Sequence, residues 1–514
     1  MNKIAYNFFA AILLLTFSIS AVAQPGTWDQ TFGTGGFVTT DIGGLQDKCY
    51  SILIQSDDKI VVAGYSMNSS NNTDFSLARY TSNGALDVTF DTDGKTVLDF
   101  ANSNDYAYSA AMQDDGKFVL AGFMYNVSDP DFAVARFNAD GSPDNSFGTG
   151  GKVTTAFGSN ADYAESVAIQ SDGKIVVAGR TATPGNPNLF ALVRYNSNGT
   201  LDNTFDTDGA VTTAFGTSSG EPRSVAIQSD GKILVGGSIS IPPDNVRHYM
   251  LVRYNSDGSI DNTFDTDGIV TTSIGGANDL GQSVLLQPDG KIILGGYDAV
   301  VNGFVLVRYN SNGSVDNTFG TAGSGISDFG TFYSYAYAAA LQDDGKIILA
   351  GNSNISTLDF VLMRYNSDGT LDNTFGVDGE SVLDFGGSND EGMAVGIQSD
   401  GKIVMAGTYW DAPNTDDNFS LARFNGDPVG IEESTAEENT VTVFPNPFSN
   451  ELTIKGLTGK GELAISDVAG NECLHVLTGN NAELKITTSF LSPGFYMLNY
   501  TSGTKTVNTK LVKF

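Results

Sequence analysis

From Ser166 to Ala178 the chain reads Ser-Val-Ala-Ile-Gln, Ser-Asp-Gly, Lys-Ile-Val-Val-Ala, two short apolar runs rich in β-branched residues around an Asp172-Gly173 step. A step of this kind between two such runs is the strongest short-range hairpin signal. The pattern predicts a strand b over 166–170 and a strand c over 174–178. Val153 to Phe157 predicts a strand a upstream in the same unit, and Phe190 to Tyr195 a strand d downstream. Beyond the first 23 residues nothing shows the 3.6-residue stripe of an amphipathic helix.

The pattern repeats, and repeats decide architecture. A glutamine before the turn recurs at Gln55, Gln113, Gln170, Gln228, Gln287, Gln342 and Gln398, at spacings of 58, 57, 58, 59, 55 and 56. An arginine followed by Tyr or Phe recurs at Arg79, Arg136, Arg194, Arg253, Arg308, Arg364 and Arg423. A phenylalanine closing Asp-x-Thr-Phe or a near variant recurs at Phe32, Phe90, Phe147, Phe205, Phe264, Phe319 and Phe375. Residues 24–426 are therefore seven copies of one unit of about 57 residues. Four antiparallel strands per copy make the fold all-β and predict a seven-bladed β-propeller, preferred over an open solenoid.

Ring closure is written into the phase of the repeat. Six of the seven arginines are followed eight residues later by an aspartate, as in Arg79 with Asp87, Arg194 with Asp202 and Arg364 with Asp372. Arg423 is not. The chain instead begins its first unit with Trp28-Asp29-Gln30-Thr31-Phe32, which matches Leu201-Asp202-Asn203-Thr204-Phe205. The N-terminal segment thus supplies the missing end of the seventh unit, and Asp29 is expected to pair with Arg423. Strand d alternates so that Phe360, Leu362 and Arg364 share one face, and an arginine among apolar side chains reads as one half of a structural ion pair.

Net charge narrows the partners. The chain carries −32, of which −29 falls on residues 24–426. That excludes nucleic acid and anionic membrane surfaces, which need a positive footprint. Two cysteines, Cys49 and Cys473, give no disulfide framework, and two histidines, His248 and His475, leave almost no candidates for a nucleophilic triad. Cys473 and His475 lie two apart on one strand face, a spacing that indicates packing. Asp91-Thr-Asp-Gly94, Asp206-Thr-Asp-Gly209 and Asp265-Thr-Asp-Gly268 offer two carboxylates before a glycine, but the complete calcium-loop pattern is missing and plain turns are expected. No cofactor or metal is expected, with calcium the one weak candidate.

The ends of the chain concern export. Residues 1–23 combine Lys3, an apolar run from Phe8 to Ile19 and Ala21-Val22-Ala23, the form of a cleaved signal peptide. No later apolar run is long enough for a membrane helix. Residues 427–439 carry five acids and no base and read as an exposed linker. From 440 to 514 short alternating runs separated by Pro and Gly predict a small β-sandwich.

Two families resemble these segments. Gln-Ser-Asp-Gly-Lys-Ile-Val-Val-Ala-Gly followed by Arg-Tyr-Asn-Ser-Asp-Gly and Leu-Asp-Asn-Thr-Phe resembles the delta-60 repeat of secreted and surface proteins of bacteria, which implies fold and location but no activity. The tail, through Phe444-Pro445-Asn446-Pro447-Phe448, Ile465 to Gly470, Leu491-Ser-Pro493-Gly494-Phe-Tyr496 and Lys510-Leu-Val-Lys513, is similar to the C-terminal sorting domain of the type IX secretion system. The resemblance implies export past the outer membrane of a Gram-negative bacterium, with the type IX machinery as partner and either release or surface anchoring.

The expected function is that of a secreted or cell-surface, monomeric, non-enzymatic propeller binding an extracellular glycan or protein. A carboxylate-dependent polysaccharide hydrolase or lyase in the channel and a purely structural surface component are the alternatives. Antiparallel order puts the uniform b–c turns at one end of the propeller and the variable a–b and c–d loops at the other. Aromatic residues on variable loops are suited to binding. The candidates are Tyr409, Trp410 and Asp411 on a c–d loop, with Tyr106, Tyr108, Tyr163, Tyr335 and Tyr337 on a–b loops.

Overall fold

The computed structural model describes residues 23–427, save 44, 127–128, 275–277, 329–332, 355–356, 387–388 and 412–415, and residues 442–513, save 445–447, 458–459, 468–470, 480–482 and 503–504. Two compact units result, divided between Val429 and Gly430. The expected signal peptide lies outside the described residues apart from Ala23, as does the linker apart from Asp427. No helix among the described residues is long and apolar enough to cross a membrane.

The first unit contains seven four-stranded antiparallel sheets. Blades 1 to 6 span 47–98, 105–155, 161–213, 219–272, 279–328 and 334–383, and blade 7 joins 390–424 to 37–40. Within a blade the two middle strands are buried on both faces, as Ile175–Ala182 and Leu189–Tyr195 show. That is why their sequences are continuous apolar runs. The turn between the first two strands is the repeated glutamine motif. In blade 3 the Gln170 N–H donates to the Lys174 carbonyl and the Gly173 N–H to the Gln170 carbonyl, both at 2.8 Å. Gly173 adopts φ +80°, the left-handed conformation that makes glycine the favoured residue there.

Strand a belongs to a different blade than its sequence neighbours suggest. Lys152–Thr155 pairs with Asp129–Phe137, the third strand of blade 2, and not with the strands of its own unit. The reason is the arginine–aspartate hairpin: Asp144 N–H donates to the Arg136 carbonyl at 2.9 Å and Arg136 N–H to the Gly151 carbonyl at 2.8 Å, folding the chain back on the blade it has just left. Each blade is therefore strands b, c and d followed by the next a.

This phase gives the closure. Phe37–Thr40, the first strand of the chain, pairs with Asp416–Phe424, the last of the repeats, and Trp28 bridges Phe424. Arg423 Nε donates to Asp29 Oδ2 at 2.9 Å. The same geometry holds for Arg79 with Asp87, Arg194 with Asp202 and Arg364 with Asp372, at 2.9, 2.7 and 2.8 Å. Each of these guanidiniums also lies 4.7 to 4.9 Å above the phenylalanine of its own motif. In most blades it then donates to a main-chain carbonyl of the next, as Arg79 does to Ala139. For Arg364 that acceptor is Asp427, whose two carboxylate oxygens take Nη1 and Nη2 at 2.7 and 3.0 Å. Asp427, assigned to the linker from sequence, is thus held by the propeller.

The second unit has a three-stranded sheet, Thr442–Phe444, Glu451–Lys455 and Glu483–Thr487, and a four-stranded one. The four-stranded sheet runs Glu472–Thr478, Gly461–Asp467, Gly494–Ser502, Lys505–Lys513. Leu452, Ile454, Leu463, Ile465, Leu498 and Leu511 form its core. Lys513 is buried, donates to the Ser449 carbonyl and lies over the Phe448 ring, whereas Lys510 and Pro493 are exposed and Gly494 opens a strand. Pro445, Asn446, Pro447 and Gly470 lie outside the described residues.

Candidate functional site

The innermost strand of every blade is longer at its N-terminal end than the apolar pattern suggests. In blade 3 it runs Ala161–Ile169, five residues before Ser166. Each innermost strand then carries one β-bulge, at which a single residue drops out of register. The bulged residues are Tyr50, Tyr108, Glu165, Arg223, Gln282, Tyr337 and Met393. A bulge re-aims its side chain, and all seven line one central cavity of about 510 Å³. Seven blades thus contribute one bulged channel residue each, and no two neighbouring blades from 2 to 7 contribute the same residue type at that position.

Five of the seven blades share one scaffold contact beneath that ring. The serine after the bulge accepts the backbone N–H of the next innermost strand, from Ser51 to Ala110, Ser109 to Val167, Ser166 to Val225, Ser224 to Val284 and Ser283 to Ala339, at 3.1 to 3.2 Å. Blades 6 and 7 have Ala338 and Ala394 there.

Charge in the channel is paired. Glu165, 9% exposed in its side chain, accepts Arg180 Nη1 at 2.6 Å and Arg223 Nη1 at 3.0 Å. Burial disfavours the Arg223 cation, but the Glu165 and Glu221 carboxylates outweigh it and hold its pKa above the usual value. Between blades 7 and 1, outside the cavity lining, Lys48 lies 3.2 Å from Glu391 and 3.4 Å from Asp417. Aromatic rings fill the arc between: Tyr50 meets Tyr108 edge-on at 4.9 Å, Phe123 meets Tyr163 at 4.9 Å, and Arg180 covers Tyr163 at 4.6 Å. Tyr297 and Tyr335 make a second cluster at 5.0 Å. Burial pushes the phenols of Tyr50, Tyr108 and Tyr337 well up, so all three remain neutral donors.

The sequence candidates divide. Tyr106, Tyr108, Tyr163, Tyr335 and Tyr337 stand on innermost strands and not on loops, and Tyr108, Tyr163 and Tyr337 line the channel. Tyr409, Trp410 and Asp411 end the strand Ile403–Asp411, and Tyr409 and Trp410 are absent from the channel lining. Tyr409 packs on Phe385 at 6.2 Å, and Trp410 is 40% exposed. Sequence reasoning missed Tyr50, Glu165, Arg223, Gln282 and Met393. The signal was present: each bulged residue stands five places before the repeated glutamine, a variable position beside a constant one. The Asp-Thr-Asp-Gly segments are turns, in which Asp93, Asp208 and Asp267 accept the N–H two residues on at 3.0 to 3.1 Å.

Seven segments, 55–90, 113–147, 170–205, 228–264, 287–319, 342–375 and 398–427, match the Domain of unknown function (DUF5122) beta-propeller. The chain belongs to this DUF5122 propeller family. Residues 442–513 match the Secretion system C-terminal sorting domain. The DUF5122 propeller is therefore exported through type IX secretion to the cell surface or the extracellular space. No curated protein matches it. Similar solved structures include virginiamycin B lyase from Staphylococcus aureus, at 10% identity and TM-score 0.44 over 75% of this chain and 98% of that one. An ulvan lyase has 11% identity and TM-score 0.43 over 76% and 96%. PorZ of Porphyromonas gingivalis, a surface component of the type IX system, has 11% identity and TM-score 0.26 over 97% and 88%. None of these likenesses carries a functional argument at such scores.

Proposed function

We propose that this protein is a secreted, non-enzymatic binding propeller whose ligand, an extracellular glycan segment, enters the central channel. The observation that carries this reading is the ring of bulged residues: one repeated backbone device aims seven side chains of differing chemistry into one cavity. Neutral tyrosine faces supply contact area for sugar rings, and fixed Arg, Glu and Gln groups supply donors and acceptors for hydroxyls. Glu165 is held by two guanidiniums, which favours its use as a fixed polar contact. The test is a glycan array probed with the full mature chain, with protein ligands and polysaccharide breakdown assayed in parallel. Binding without breakdown is expected. Breakdown of a bound polysaccharide would replace the reading with the hydrolase or lyase alternative, and binding only to protein would change the ligand class.

A further inference from the structure

The charge on the channel wall is uneven. Among the described residues the lining holds three charged side chains, Glu165, Arg180 and Arg223, so guanidiniums outnumber carboxylates by two to one. Glu165 spends both of its oxygens on them, Oε1 on Arg180 Nη1 and Oε2 on Arg223 Nη1. Exposure differs in the same sense: the Glu165 side chain is 9% exposed, against 23% for Arg180 and 34% for Arg223. The carboxylate is covered and the guanidiniums face the cavity. Nη2 and Nε of both arginines have no acceptor among the described residues.

The repeated scaffold does not require this pair. Arg180 stands opposite Tyr163 in the strand pairing, where the other blades carry Tyr65, Phe123, Ser238, Tyr297, Asn352 and Thr408. Arg223 is the bulged residue of blade 4, a position that holds arginine in no other blade. Two adjacent blades thus use two different strand positions to bring guanidiniums onto one carboxylate. Outside the lining, Arg247 lies 3.1 Å from Glu221, and Lys48 is shared by Glu391 and Asp417. Three guanidiniums therefore meet two carboxylates on the arc of blades 3 and 4, a cationic excess within a propeller that carries −29.

Uncharged groups around the pair add further donors. Tyr108 and Tyr337 are kept neutral by burial, and their hydroxyls, like the Gln282 amide, bond to nothing among the described residues. A planar guanidinium with free N–H groups matches the two oxygens of a carboxylate or a sulfate, stays charged at any working pH and is more weakly hydrated than an ammonium. Inside a cavity the attraction is stronger than on an open surface, because less water screens it. A neutral glycan would gain the tyrosine faces but leave the free guanidinium edges unmatched. We propose that the channel selects an acidic glycan, whose uronate carboxylate or sulfate ester seats between Arg180 and Arg223, an assignment that rests on the channel being the glycan site and adds the charge of the ligand.

The experiment is calorimetric titration of the full mature protein, at physiological ionic strength, with polygalacturonate and its carboxyl-reduced form and with dextran sulfate and dextran. One acidic polymer should bind at least tenfold more tightly than its neutral counterpart. A preference within the first pair identifies a carboxylate, and one within the second a sulfate. Arg223→Gln and Arg180→Gln should each weaken that binding at least tenfold. Melting temperature reports whether each variant folds, and either one that folds decides. Lys117→Gln removes the same charge at the uniform b–c end and should leave affinity unchanged. No binding of either acidic polymer at millimolar saccharide, equal binding of acidic and neutral forms, or acidic binding that survives the arginine variants would overturn the assignment. So would an equal loss on Lys117→Gln, by reducing the attraction to net charge. Acidic binding that survives Tyr108→Ala and is lost on replacing Tyr409 and Trp410 by Ala would instead overturn the channel itself as the glycan site.

Discussion

Arg423 and Asp29 lie 394 residues apart in sequence and 2.9 Å apart in the fold, joined by the same Nε-to-Oδ2 hydrogen bond that Arg194 and Asp202 make eight residues apart. Both partners are almost fully buried, and Lys402 stands a further 3.7 Å from the carboxylate. Removing one partner of a buried pair costs about 3 to 5 kcal/mol. Asp29→Ala should therefore lower the urea midpoint of the full chain by a large fraction of a typical domain's stability. The same change at Asp202, which closes no ring, is the comparison. A midpoint unchanged by Asp29→Ala would mean that the ring does not depend on this contact.

Stability should depend on pH with two opposed signs. Burial raises Asp47 to about 6 and Asp105 and Asp390 to about 7, so the folded state holds protons that the unfolded state has released. Their contribution is present below pH 4 and is lost as pH rises towards 7. Asp202 behaves in the opposite way. Burial opposes its ionisation, but hydrogen bonds from Thr204 and the charges of Lys174 and Arg194 lower it to about 2, and that stabilisation is lost as pH falls from 4 towards 2. The free energy of unfolding, read from urea titrations, should peak in mildly acidic solution and decline between pH 5 and 7.5, by on the order of a few kcal/mol in total. Asp105→Asn should flatten the decline. A profile that rises through this range would contradict the burial argument.

Export should depend on a folded tail. Deleting residues 441–514 should leave a folded propeller retained in the periplasm, as measured by fractionation. Lys513 is buried and donates to the Ser449 carbonyl, so Lys513→Ala should destabilise the tail and reduce export, while Lys510→Ala, at an exposed position, should change little. Normal secretion of the truncated chain would contradict the role of this domain.

The fold was legible because its determinants are local and repeated sevenfold. A turn such as Gln170 to Lys174 and a pair such as Arg194 with Asp202 are each contained within ten residues. Within one unit the blade that strand a joins is not legible, because its four residues fit either neighbour, and only the hairpin that returns to Arg136 decides between them. The channel was harder to see. Tyr163 and Glu165 face a polar cavity, so residues 161–165 lack the apolar run that marks Lys174 to Ala178 as a strand, and the pattern places Tyr163 on a loop. Trp410 drew notice as the one tryptophan within a repeat loop, yet it lies outside the cavity, where Glu165, Arg223 and Gln282 gather.

Affinity measured on a matched pair of double variants tests the channel most directly. Tyr108→Ala with Arg223→Ala removes two of the seven bulged side chains and leaves Glu165 its partner Arg180, so the fold should persist. Tyr409→Ala with Trp410→Ala removes the aromatic pair away from the channel. Against the glycan identified by array, the channel variant should bind at least a hundredfold more weakly and melt near the wild-type temperature, while the second variant keeps its affinity. Full affinity in the channel variant, with binding lost on removing Tyr409 and Trp410, would contradict the account and place recognition on the outer loops.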